Sequence, residues 1–293
     1  MNRATLIKSL LRLAAGLPLW LNHALGAALG WLLWRLPNDA RRVAGRNLDL
    51  AFADWSAADR AALLHRNLIE TGKLFLELGP LWLWPGARVL ALVRGPVAGE
   101  EALAGAVRAR SGAILLTPHL GAWEMAGLYY SSRHPLTILY RPSRLGLDAL
   151  SIQGRGRLGG QVVATDARGV RSLLMALRQG EVLGILPDQD PGEEGGVFAP
   201  FFGIAASTMT LVSRLALKTG APVFLTWAER LPRGRGYTLH LCELPEVTGA
   251  ATLEDSVAAL NRGVEAAVRS LPDQYLWAYK RFKTRPSGLP KLY

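Results

Sequence analysis

The sequence predicts an α/β fold: a mainly parallel central sheet flanked by helices, with a helical, membrane-associated extension at its amino terminus. Three observations carry this. Beyond Pro85-Gly86, short apolar runs alternate with segments of helical periodicity, the signature of strands joined by crossover helices. Polar residues gather where those runs end, the edge at which open α/β sheets hold ligands. Ahead of them, Leu13 to Trp34 carries no formal charge and includes Trp20, Leu21, Leu25, Leu29, Trp31, Leu32 and Leu33.

Taken in order, that first stretch would measure about 33 Å as one helix, long enough for a hydrocarbon core. Pro18, Asn22, His23 and its glycines make it a mediocre span, and no small-residue cleavage site accompanies it. It reads equally as a tilted or interfacial helix, or as a pair of core helices broken at Pro18. Membrane attachment is favoured by Trp20, Trp31, Trp34, Trp82 and Trp84, since tryptophans seek the headgroup region. Arg35, Arg41, Arg42 and Arg46 follow, a cluster that places the bulk of the chain on the cytoplasmic side.

Ser56-x-x-Asp59 is a capping signal, and Leu64, Leu68, Phe75 and Leu78 continue at helical spacing to Gly79-Pro80, which predicts a long amphipathic helix. The chain thus divides near Pro85, into a helical anchoring region (1–84) and an α/β domain (85–293). The predicted strands are Ala113 to Thr117, Leu136 to Tyr140, Gln161 to Thr165, Val182 to Leu186, Val223 to Trp227 and Tyr237 to Leu241. Between them, Val170, Leu173, Leu174 and Leu177 mark a helix stopped by Gly180. Ser207 is expected to cap another, carrying Leu211, Val212 and Leu215 to Gly220. A last helix starts at Thr252, with Val257, Leu260, Val264 and Val268 on one face.

The chemistry is concentrated in Thr117-Pro118-His119-Leu120-Gly121-Ala122-Trp123-Glu124. Five residues along an ideal helix turn through about 500°, so His119 and Glu124 can converge only if the chain bends between them. Gly121 permits the bend. This places His119 in the loop leaving a buried strand and Glu124 in the first turn of a helix through Met125, Ala126, Leu128 and Tyr129. A carboxylate there is expected to fix the imidazole tautomer and stabilise the imidazolium formed when the other nitrogen takes a proton, with the substrate's own hydroxyl as nucleophile. Tyr140-Arg141-Pro142 and Pro187-Asp188-Gln189-Asp190-Pro191-Gly192 stand at two further strand ends.

Composition narrows the partners. With 34 Lys and Arg against 23 Asp and Glu over 293 residues, the net charge of +11 suits an anionic partner. Phosphate-bearing lipid and an acidic carrier protein fit better than nucleic acid, for which no binding motif is present. The single cysteine, Cys242, excludes an internal disulfide. His23, His65, His134 and His240 are scattered and His119 lacks a second ligand at zinc spacing, so neither a metal nor another cofactor is expected.

The chain resembles the lipid A late acyltransferases, membrane-bound enzymes that add secondary acyl chains to the lipid A precursor of Gram-negative bacteria. The likeness runs through Arg41-Arg42-Val43-Ala44-Gly45-Arg46-Asn47-Leu48, His119-x4-Glu124, Tyr140-Arg141-Pro142 and Asp166-Ala167-Arg168-Gly169-Val170-Arg171. It continues in Gly180-Glu181, Pro187 to Asp190, Val197 to Gly203 and Gln274 to Pro286. The resemblance implies a glycerolipid-acyltransferase-like fold at the bacterial inner membrane, with the catalytic domain on the cytoplasmic face. It implies acyl carrier protein as donor, an anionic glycolipid as acceptor, inner membrane lipids as partners, and His119 with Glu124 as the catalytic dyad. It implies no acyl-enzyme. Arg157 and Asp188 match two further functional positions, with Arg155 a neighbouring candidate for the former. Arg157, and more weakly Arg141, would hold an acceptor phosphate or stabilise charge; a structural ion pair between Arg157 and Asp188 is the alternative. Tyr279 departs from the histidine of many relatives. Lys280, Arg281, Lys283 and Arg285, interleaved with aromatic residues, form a basic segment suited to headgroups or the carrier.

The same dyad would serve a lysophospholipid, an aminolipid or another glycolipid as acceptor. From another class, a non-catalytic membrane-surface adaptor would use the anchor and basic patches without needing His119 beside an acid.

Overall fold

The computed structural model describes residues 3–142, 148–192 and 195–293. Pro18, extended at φ −66° and ψ 153°, breaks the first apolar stretch into α1 (Arg3–Ala15) and α2 (Leu19–Arg35). The single long helix that the uncharged run allowed is therefore replaced by the broken pair, because a prolyl ring cannot continue an α-helical hydrogen-bond ladder. Among the described residues no helix is long and apolar enough to cross a membrane. Next come α3 (Asp39–Ala51), capped by the Asn38 side chain, and α4 (Ala57–Leu83), capped by Ser56 as expected.

α2 lies against α4 at backbone contact. A Cβ at Gly30 would collide with the Leu68 carbonyl, and one at Gly72 with the Gly26 carbonyl, so only glycine lets the two helices approach this closely. One side of the pair is thereby buried. The outward side of α1 and α2 leaves Leu6, Leu10, Leu13, Trp20, Leu25, Leu29, Trp31 and Leu32 exposed, with Leu13 at 69% and Trp20 at 58%. α4 runs past Pro80, where the sequence pattern suggested it would end. The last turn persists because a missing N–H removes only one bond there and Arg157 donates to the terminal carbonyls of Leu81 (2.7 Å) and Trp84.

The remainder runs α5 (Gly86–Leu90), α6 (Glu100–Arg108), β1 (Ala113–Leu116), α7 (Trp123–Ser131), β2 (Leu136–Tyr140), α8 (Asp148–Gly156), β3 (Gln161–Ala164), α9 (Ala167–Arg178) and β4 (Val182–Ile185). It continues with β5 (Gly196–Phe201), β6 (Ile204–Met209), α10 (Leu211–Thr219), β7 (Val223–Arg230), β8 (Tyr237–Glu243), α11 (Pro245–Thr248) and α12 (Leu253–Ser270). The main sheet has the order β3-β2-β4-β1-β7-β8, parallel except for β8. All six expected strands are present, and β1, β2 and β4 are buried along their whole length, as strands covered on both faces must be.

The sequence pattern missed a separate hairpin of β5 and β6, turned by Phe202-Gly203 with φ of 50° and 74°. Two consecutive left-handed residues are what a tight hairpin turn needs. Ser207 accordingly lies inside β6, its hydroxyl donating to the Gly192 carbonyl, and does not cap α10, which follows Thr210. Two apolar cores flank the sheet. One gathers Leu116, Ile185, Leu225, Val264 and Trp277 with Leu48, Phe52 and Leu63 of the amino-terminal helices; the other gathers Leu115, Met125, Leu128 and Phe224 with Leu81 and Trp82.

Candidate active site

The site sits where β1 and β4 end side by side. After β1 the chain runs through Thr117 and Pro118 to His119, then reverses at Gly121, whose φ of 61° and contact with the Ala228 carbonyl leave no room for a side chain. α7 begins at Trp123, which puts Glu124 in its first turn, as the spacing predicted. The loop is pinned from several sides. The Ala122 N–H donates to the Ala228 carbonyl at 2.7 Å, the Gly121 N–H to the Gln274 carbonyl at 3.0 Å, and the Leu276 N–H to the His119 carbonyl at 3.0 Å.

Among the described residues the hydrogen-bond partners of the His119 ring are Asp188 and Gln189, and Glu124 is not one of them. The imidazole Nδ1 lies 2.8 Å from Asp188 Oδ1, and Asp188 Oδ2 accepts the His119 backbone N–H at 2.9 Å. β1 and β4 are paired neighbours, so their carboxyl-terminal loops deliver base and acid to the same point from opposite sides. Asp188 is 3% exposed. Burial acts to raise its pKa, but the His119 ring and the hydrogen bonds from His119 outweigh it and hold the carboxyl below its usual range. With Nδ1–H committed to Asp188, Nε2 carries the lone pair, and the Gln189 side-chain amide lies against it at 3.1 Å.

Glu124 has different partners. Its carboxylate accepts from Arg155 Nε at 3.1 and 3.0 Å and from Arg155 Nη2 at 2.5 Å, and from the indole N–H groups of Trp82 and Trp123 at 3.2 Å each. Burial acts to raise its pKa, yet the Arg155 charge and these donors keep it below the usual carboxylate range. Trp123 connects the two halves of the site: its ring packs edge-on to the His119 ring, centroids 4.8 Å apart, while its N–H serves Glu124.

Beneath this pair opens an apolar cavity, walled by Leu115, Leu136, Ile138, Gly184 and Leu186 from the sheet and by Gly127 and Leu128 from α7. Thr117, Trp123, Glu124 and Arg155 line its polar end.

Other expected site residues lie elsewhere. Arg157 neither reaches Asp188 nor lines the cavity; it caps α4. Arg155, in the last turn of α8, faces Glu124, whereas Arg157 lies just past the end of that helix, where the chain has turned toward α4. Arg141 is exposed beyond the end of β2. The carboxyl-terminal basic segment is also divided. Arg281 is buried, donating to the Ser207 carbonyl and Thr208 Oγ1, and Arg285 donates to the Ala205 carbonyl, so both hold β6 in place, while Lys280 and Lys283 are exposed. The Tyr279 hydroxyl accepts the Asp190 N–H at 3.0 Å and so steadies the loop that carries Asp188 and Gln189. Among the described residues no group of three or more His, Cys, Asp or Glu side chains is placed to hold a metal ion.

A family model described as bacterial lipid A biosynthesis acyltransferase matches residues 4–284. The chain belongs to that family. It is 31% identical over 283 residues to a lipid A biosynthesis lauroyltransferase of Escherichia coli, covering 96% of this chain and 91% of that one. It is 31% identical over 274 residues to a lipid A biosynthesis palmitoleoyltransferase of the same organism (92% and 87% covered), and 26% identical over 266 residues to a myristoyltransferase (89% and 81%). The protein is an acyltransferase, and the resemblance read from its motifs extends over nearly the whole chain.

Proposed function

We propose that this acyltransferase moves a fatty acyl chain from the thioester of acyl carrier protein to a hydroxyl of a lipid A precursor, with His119 as general base and no acyl-enzyme. The observation that carries the reading is an imidazole oriented by a buried carboxylate beside an apolar cavity whose polar end is a Glu124–Arg155 pair. His119 Nε2 takes the acceptor hydroxyl proton as the oxygen attacks the thioester carbonyl. The carbon–sulfur bond then breaks, and the carrier's sulfur leaves with the proton from the imidazolium, giving one ester and one thiol. Asp188 holds the tautomer and stabilises the transient imidazolium. Glu124 acts through Arg155, keeping a guanidinium at the cavity rim where it can donate to a carbonyl oxygen gaining negative charge or to an acceptor phosphate. The acyl chain occupies the cavity.

The exposed apolar side of α1 and α2 meets the bilayer interface at the cytoplasmic face of the inner membrane, flanked by a groove containing Arg41, Arg42 and Arg46 that suits anionic headgroups or the acidic carrier. Exposed Trp20 and Trp31 fit that interface, and the Arg35 guanidinium lies over Trp31 and Trp34. The test is transfer in vitro from an acyl-carrier thioester to a tetra-acylated lipid A precursor, read by mass spectrometry. H119A is expected to abolish the product while still sedimenting with anionic vesicles. Transfer at the wild-type rate by H119A overturns the base, and product only on lysophospholipid or aminolipid acceptors overturns the acceptor.

A further inference from the structure

A second buried charge cluster lies behind the His119 loop. Arg230, at the end of β7, grips Glu77 of α4 through Nε (2.9 Å to each oxygen) and Nη2 (2.6 Å). Glu77 is 0% exposed and also meets the Tyr237 hydroxyl at 3.1 Å and His23 Nε2 of α2 at 3.2 Å. A buried ion pair of this kind contributes little net stability, since apolar residues of the same volume often replace such pairs without loss. What apolar residues cannot replace is the remaining bond: Arg230 Nη2 donates to the Gly121 carbonyl at 2.7 Å.

We infer that Arg230 is a positioning residue, which sets the His119 loop by holding the Gly121 carbonyl; this rests on His119 being the base. Both backbone polar groups of Gly121 belong to one network. Its N–H donates to the Gln274 carbonyl, while the Gln274 side chain is bonded in both directions to the Arg230 backbone, at 2.9 and 3.2 Å. Trp123, Arg230, Gln274 and Tyr275 pack around the loop and line a small crevice beside it. A loop released from Arg230 loses the hydrogen bond that holds its reversal, two residues from His119. Glu77 aims the guanidinium, and through Glu77 and His23 the setting of the base is tied to α2 and α4.

Displacing a base by about 1 Å costs about 100-fold in rate. In the E77Q/R230M double variant no buried charge of the pair is left unpaired, and R230K keeps the charge but lacks a fork able to serve Glu77 and Gly121 together. For both, kcat is expected to fall tenfold or more with KM for the acyl-carrier thioester within twofold of wild type, and the His119 ring nitrogen resonances are expected to shift. A folded variant of either kind with wild-type kcat overturns the inference, as does a loss confined to KM. Hydrogen exchange on the unaltered protein needs no variant to fold: slow exchange at Gly121 and Leu276 supports the clamp, and loop-like exchange overturns it. The two readings fail separately. An active H119A overturns the base, whereas an inactive H119A beside fully active Arg230 variants overturns the positioning role alone.

Discussion

Replacing Asp188 by asparagine removes one charge and almost no volume, so it isolates what the carboxylate does for the base. Asp188 accepts two hydrogen bonds from His119, 2.8 Å from Nδ1 and 2.9 Å from the backbone N–H, at a position 3% exposed to solvent. When Nε2 takes a proton the ring becomes a cation about 4 Å, centre to centre, from that carboxylate; at an effective dielectric of about 20 the attraction is roughly 4 kcal/mol. Asparagine retains one acceptor oxygen and part of the geometry, so we take about 3 kcal/mol as lost from the transition state, a fall of about 100-fold in kcat. Asparagine also offers an N–H toward the ring, which favours the tautomer with its proton on Nε2, where it cannot act as base. The assay follows thiol release from the acyl-carrier thioester with a saturating lipid A precursor, at several pH values, with the thermal midpoint measured in parallel. D188N is expected to fold, to keep KM for the donor, and to lose about 100-fold in kcat. A folded D188N within threefold of wild type would falsify the assignment of Asp188 as the orienting acid.

Three further outcomes are expected. E124Q leaves the Arg155 guanidinium without its charged partner in a mostly buried position, which should destabilise the protein by about 3 kcal/mol and abolish transfer; the double variant E124Q/R155M should recover the thermal midpoint but not the activity, and recovered activity would show the pair to be structural only. Gly127 lines the cavity and a Cβ there meets nothing within 4 Å, so G127L should fill part of the cavity and move the donor preference toward shorter chains, at about 0.8 kcal/mol per displaced methylene, read by competition between acyl-carrier thioesters of different length. Glu77, Glu124 and Asp188 all have pKa values lowered in the folded state. The unfolded chain therefore binds more protons in acid, so their stabilising contribution is complete above the ordinary carboxylate range of about 4 and is lost as pH falls through the lower folded values. Thermal midpoints from pH 7 to 3 should drop steeply below about pH 4, and a flat profile there would contradict the assignment.

Much of this fold was legible in the chain because it rests on local patterns. Ser56 and Thr252 cap helices through bonds to residues three positions on, and a capping bond is a property of four residues. The six sheet strands are short apolar runs, three of them, β1, β2 and β4, buried along their whole length, so periodicity and length found them. Gly121 and the first turn of α7 were readable for the same reason. The β5 and β6 hairpin was not, because Pro200 and the small residues Ala205 and Ala206 dilute its strand signal and its turn places phenylalanine at positive φ.

The pairing of charges was beyond local reading. The sequence by itself determined which side chains stand at strand ends: His119 after β1, Arg141 after β2, Asp188 after β4. Which of them meet was decided by strand order. Because β1 lies between β4 and β7, His119 receives its acid from the β4 loop and its backbone support from Ala228 and Arg230 of β7, whereas Glu124, five residues away in sequence, is turned by α7 toward Arg155 on α8. The end of α8 at Gly156 then separated Arg155, which faces Glu124, from Arg157, which turns to α4, and Pro18 with the glycine contacts of α2 and α4 made the apolar amino terminus a packed helical layer with one exposed side. Hydrogen bonds reach about 3 Å, so residue type can suggest the partners of a charged group, but only the packing of distant segments places one of them within that distance.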